Sequence, residues 1–143
     1  MTLAYVVDTS VVIQRFIAEA YTPNVRVLFS QLSQGIDLVV PEFCLLECTN
    51  VFWRQVRFQG MSQTDAEQFI DQLGQIPFEI VPAPTLMSQA LQIGLSKQLA
   101  IYDSIYIALA LNRQCSLITV DERQVKAAIT TGVTSKPISD FAP

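Results

Sequence analysis

The chain has 143 residues, half of them hydrophobic, with 13 acids against nine bases, three cysteines and no histidine. That is enough apolar sequence for one buried core, and the missing histidine excludes Ser-His and Cys-His hydrolase chemistry and any Cys/His zinc site. The net charge of -4 runs against a nucleic-acid ligand, because such binding usually draws on neutralised phosphates.

In chain order, the first predicted strand is "AYVV", followed at once by Asp8 and a helical run from Thr9. Pro23 opens a helix to about Gln34, and "IDLVV" is the second strand. A long helix begins near Glu42 and is closed by Gly60, and "SQTD" from Ser62 is a capping box that starts another. These two, near 42–58 and 62–75, have no strand between them and form an αα-hairpin. "FEIV" is the third strand, with Pro84 in the first turn of the next helix. The apolar helix "LAIYDSIYIALAL" leads to the fourth strand, "SLITV", then Asp121 and the helical "ERQVKAAI". Gly132 leads into "VTSKPISDF", a fifth strand at a sheet edge, since Pro137 cannot donate to a ladder. Strands alternating with helices imply a parallel sheet covered on both faces.

The apolar runs are broken by charges well short of the ~20 residues of a membrane span, and no basic segment precedes a cleavable apolar one. The chain reads as cytoplasmic, with Cys44, Cys48 and Cys115 as reduced thiols in apolar settings. None of the five glycines stands in a GxGxxG or GxxxxGK[ST] arrangement, so a phosphate-cradling loop is not expected.

Four carboxylates stand out. Asp8 and Asp121 follow strands at their carboxyl ends, where open α/β sheets place ligands; each also suits a helix N-cap, Asp121 with Gln124 completing a capping box. Glu47 is the only charge between Phe43 and Trp53, on a helix apolar on nearly every side and so expected to be largely buried. Asp103 is the only charge between Lys97 and Arg113. Neither has a cation one helical turn away, although Glu47 could lean out to water and Asp103 could sit in a first turn favoured by the macrodipole. Taken together, the four suit a cluster neutralised by a shared cation, and oxygen-only ligands select Mg²⁺ or Mn²⁺ over zinc. Thr9, Ser10 and Thr119 are placed to hold the acids in orientation. Asn50 and Arg54 fall near the Glu47 face at helical spacing, and Arg54 could reach a substrate phosphate or remain a solvated surface residue.

The segments "VVDTSVVI", "PEFCLLECTNVF", "YDSIYIALA" and "LITVDERQV", in this order along the whole chain, resemble the PIN-domain nucleases, and within them the VapC-type toxins of toxin-antitoxin pairs. The resemblance implies a single PIN domain over residues 1–143 and a three-layer α/β/α sandwich with a five-stranded parallel sheet. It implies an acidic metal pocket of Asp8, Glu47, Asp103 and Asp121 and divalent-metal-dependent RNA cleavage. It also implies a homodimer and a small protein antitoxin that blocks the pocket. Asp121 matches the least regular of the four positions.

On this reading a water-derived nucleophile attacks the RNA phosphodiester and leaves a 5′-phosphate and a 3′-hydroxyl. Setting the four acids aside leaves nine acids and nine bases, so the remaining surface is balanced, with Arg15, Arg54, Arg57, Arg113 and Lys126 scattered and no basic run. A haloacid-dehalogenase-type phosphatase needs an acid where Ser10 stands, and a phosphorylated receiver leaves Glu47 unexplained. The rival of another class is a catalytically weak PIN-fold module that binds antitoxin or RNA. Phe52, Trp53, Phe58 and Phe69 of the hairpin are candidates for a dimer or antitoxin surface, or for ordinary core packing.

Overall fold

A computed structural model describes residues 3–143. β1 (Ala4–Val7), β2 (Asp37–Pro41), β3 (Glu79–Val81) and β4 (Ser116–Ile118) form one parallel sheet in the order β3-β2-β1-β4. Val6, Val7, Leu38, Val39, Val40, Leu117 and Ile118 are all fully buried. Consecutive strand residues point to opposite faces, so both faces of the central strands are covered.

The helices are α1 (Thr9–Val12), α2 (Thr22–Ser30), α3 (Phe43–Phe58), α4 (Gln63–Gln75), α5 (Met87–Lys97), α6 (Ile101–Arg113) and α7 (Glu122–Thr131). The predicted helix from Pro23 to about Gln34 is α2 with a 3₁₀ extension over Gln31–Gln34, and Pro84 sits in a 3₁₀ turn that leads into α5. Ser62 caps α4 by accepting from the Asp65 amide at 3.0 Å, as the capping-box pattern predicts. α3 is less buried than its composition suggests. Its buried positions, Cys44, Cys48 and Phe52, recur every fourth residue in one stripe, while Leu46 on the opposite side is 72% exposed. Phe52 and the half-buried Phe69 pack with Phe16, whereas Trp53 and Phe58 are exposed and meet edge to face.

Among the described residues the sheet has four strands, not five. The segment after Gly132 makes one parallel bridge, Leu117 with Ser135, through Leu117 N–H to Thr134 O and Lys136 N–H to Leu117 O. Pro137 then offers no donor and the chain turns into a 3₁₀ turn at Ile138–Asp140, so pairing stops after one exchange.

The strand order puts a reversal between β1 and β4, since β2 and β3 lie on one side of β1 and β4 on the other. Ligands of open α/β sheets bind at such a point, beyond the carboxyl ends of the strands. α6 supports this edge from behind. It is buried continuously from Ser104 to Ala110 and packs on β1, β2 and β4. Gly94 lets α5 close on α6, because a Cβ there would lie 2.8 Å from the Leu99 carbonyl oxygen and 3.2 Å from Ser104 Oγ.

Candidate metal centre

Asp8 leaves the buried β1 and is itself 6% exposed. Its backbone takes the cap position, its carbonyl accepting from the Val11 and Val12 amides at 3.1 Å, but its carboxylate does not cap α1. Oδ1 accepts from Ser10 Oγ at 2.6 Å and Oδ2 from Thr119 Oγ1 at 2.8 Å. Each hydroxyl in turn accepts from a backbone amide, Ser10 from Val120 at 3.2 Å and Thr119 from Asp121 at 3.0 Å. The amides therefore turn both hydroxyl protons toward Asp8. Burial raises the Asp8 carboxyl from 3.8 to about 6 against these hydroxyl bonds, and the Asp103 charge adds to the rise.

Glu47 projects from α3 and is half-buried. Its Oε1 accepts from Thr9 Oγ1 and Tyr106 Oη, both at 2.8 Å, and those two hydroxyls lie 3.1 Å apart. Thr9 thus orients Glu47, while Ser10 and Thr119 orient Asp8. Sequence reasoning missed Tyr106; its signal was a phenol among the apolar residues of α6, three residues after Asp103 and so on the same helical face. Burial and the neighbouring Cys44 and Glu47 hold its hydroxyl well above the usual tyrosine range.

Asp103 stands in the first turn of α6, half-buried, and among the described residues nothing donates to its carboxylate. Burial, Asp121 and Glu47 raise its pKa, and Arg123 lowers it. With Asp8 also responding to Asp103, this residue couples electrically to all three other acids. Asp121 is a true N-cap, its Oδ1 accepting from the Arg123 and Gln124 amides at 2.9 and 3.3 Å. Gln124, expected to complete a capping box with Asp121, is instead fully buried and donates from Nε2 to the Asp103 carbonyl at 3.1 Å, tying the start of α7 to the start of α6, while the Asp121 amide goes to Thr119 Oγ1. Asn50 and Arg54 are exposed and, with Thr9, Phe43, Glu47 and Tyr102, line a cavity of about 520 Å³ beside Glu47.

Asp103 is coupled by charge to the other three acids, but among the described residues no three acidic or thiol groups are gathered so as to hold one ion. The donor chemistry nevertheless fits a hard divalent cation, because every donor is oxygen, desolvation penalises the charge on Asp8 and Asp103, and among the described residues only Arg123 offsets it at Asp103.

A family model described as PIN domain matches residues 5–129. No curated protein matches the chain in sequence. Among solved structures, PAE2754 from Pyrobaculum aerophilum is 18% identical, with 97% of this chain and 86% of that chain covered and a TM-score of 0.72. VapBC2 from Rickettsia felis, bound to a DNA fragment from its promoter, is 11% identical over 94% and 98%, with a TM-score of 0.65. A toxin-antitoxin complex from Klebsiella pneumoniae is 15% identical over 85% and 89%, with a TM-score of 0.57. At these identities the likeness is one of fold.

Proposed function

The chain belongs to the PIN-domain family, and from that premise we propose that it is a divalent-metal-dependent endoribonuclease, the toxin of a toxin-antitoxin pair. PIN domains are in general nucleases, and the solved structures of similar fold include a toxin-antitoxin complex. In this reading residues 1–143 form one three-layer PIN domain, cytoplasmic and homodimeric, inhibited by a small antitoxin.

The observation that carries the reading is Asp8: a buried carboxylate at the β1/β4 reversal, aimed by two hydroxyls and raised to about 6 by burial and Asp103. Asp8, Glu47, Asp103 and Asp121 would hold Mg²⁺ or Mn²⁺, which when bound supplies Lewis-acid activation of water and charge stabilisation. Ser10 and Thr119 aim Asp8, and Thr9 aims Glu47. Asn50 supports the Glu47 side of the site, and Arg54, across the same cavity, holds a substrate phosphate. RNA is cut by water, with a 5′-phosphate and a 3′-hydroxyl as products.

Cleavage of defined RNAs by wild type, Asp8→Asn and Asp103→Asn in Mg²⁺ or Mn²⁺ tests this. Loss of cleavage in both variants and in excess EDTA is expected; full activity in any of these sinks the assignment. The spread of the acids favours one second reading, a catalytically weak module that binds antitoxin or RNA. That reading predicts no saturable Mn²⁺ binding by the wild type in calorimetry.

A further inference from the structure

Next to the acids the fold gathers positive charge that the sequence scatters. Lys97 at the end of α5, Gln98 after it, and Arg123, Lys126 and Thr130 of α7 line a groove of about 310 Å³. Three of the nine cations of the chain therefore share one face. Two of them rest on carbonyls: Lys97 Nζ approaches Thr130 O at 3.5 Å and Arg123 Nη2 donates to Gln98 O at 3.3 Å. Among the described residues the ion pairs are Arg113 with Glu79 and Lys136 with Asp140, and neither involves the groove. Glu122, beside Arg123 in sequence, lines a different cavity with Tyr21 and Pro137. The groove adjoins the acidic site directly, since the Arg123 amide donates to Asp121 Oδ1 at 2.9 Å.

We propose that this groove carries the phosphodiester backbone of the RNA strand presented to the acids, with Lys97, Arg123 and Lys126 neutralising its phosphates. The inference rests on the nuclease reading above and adds where the strand lies. A chain of net charge -4 holds a polyanion through local charge, and unpaired cations on one face supply it at no cost in broken ion pairs. Their position beside Asp121 and Asp103 offsets the repulsion that four carboxylates exert on an approaching phosphate.

The test is binding of a short fluorescein-labelled single-stranded RNA in EDTA, followed by anisotropy across a salt series. Lys97→Gln/Lys126→Gln removes two exposed or half-exposed charges and leaves Arg123, close to Asp103, in place. Affinity is expected to fall about tenfold at physiological salt and the salt slope to shrink by about 1.4. Arg15→Gln/Arg26→Gln, which strips a separate basic cavity, should keep the wild-type slope. An unchanged slope in the Lys97/Lys126 variant, or an equal loss in the Arg15/Arg26 variant, overturns the proposal. So does equally tight binding of polyglutamate through the same two lysines, which would assign the groove to an acidic polypeptide. Because EDTA separates binding from cleavage, the two readings fail differently. A chain that cleaves but keeps its slope refutes the groove alone, and one that loses its slope yet never cleaves with Mg²⁺ refutes the nuclease.

Discussion

Thr119 Oγ1 donates to Asp8 Oδ2 at 2.8 Å while accepting from the Asp121 amide at 3.0 Å, so one hydroxyl joins the ends of β1 and β4. Replacing it by the isosteric valine strands a buried carboxylate oxygen and an amide together. Thr119→Val is expected to cost roughly 1–3 kcal/mol in urea denaturation and to push the Asp8 carboxyl above about 6. Thr119→Ser, which keeps the hydroxyl, should recover most of the loss.

Asp8 also sets a pH dependence. Its carboxyl titrates near 6 in the folded chain against an ordinary 3.8, so the folded state holds that proton more tightly than the unfolded one. The stabilisation is complete below 3.8 and is lost as pH rises through about 6. The metal-free protein should lose about 3 kcal/mol across that window, and Asp8→Asn should flatten most of the fall, leaving the smaller contribution of Asp103. Thermal melts in EDTA from acid to neutral pH measure this. A neutral-pH variant less stable than wild type would contradict it. With Mn²⁺ added, the order is expected to reverse, since only the wild type gains by ligand binding.

Tyr106→Phe removes one of the two donors to Glu47 together with the hydroxyl contact to Thr9, while the ring still packs edge-on against Phe43 at 5.6 Å. A loss of about 1 kcal/mol of stability is expected, with Mn²⁺ affinity reduced roughly tenfold or more, as for other supporting partners of metal ligands. Calorimetric titration of the folded variant distinguishes this from general damage.

Gly94→Ala gains helix propensity yet meets the Leu99 carbonyl at 2.8 Å. Contact with backbone decides the sign, and α5 must move off α6 at a cost of about 1–3 kcal/mol. An increase in the denaturation midpoint would show that the α5–α6 turn yields freely.

How much of this was legible in the sequence varied with the range of the cause. The helix starts after Asp8 and Asp121 were readable because an apolar run stops before each, although β4 ends at Ile118, short of the predicted "SLITV". The same local pattern, strand then Asp then helix, nevertheless resolves in two ways. Asp121 caps α7 with its carboxylate, whereas Asp8 turns away from α1 because Ser10 and Thr119 offer it hydroxyls, and Thr119 is 111 residues distant. Tyr106 was hidden for a related reason: in an apolar helix a phenol reads as core, and only the approach of α3 makes it a donor to Glu47. Lys97 and the pair Arg123 and Lys126 show no run in sequence, since it is the packing of α7 against the α5–α6 turn that joins them. The predicted fifth strand stops at a single bridge because Pro137 has no amide to donate and the chain turns into a 3₁₀ turn right after it.

At Asp8 the carboxylate, two hydroxyls and two backbone amides form one continuous hydrogen-bonded chain. Its donors are anchored in the loop after β4, so the dipoles around that carboxylate are frozen by the fold before any cation or substrate arrives. Solvent has little left to reorganise there. A site built this way answers to the position of its backbone, and a partner that shifts the start of α7 by a fraction of an ångström would detune Asp8 without touching it.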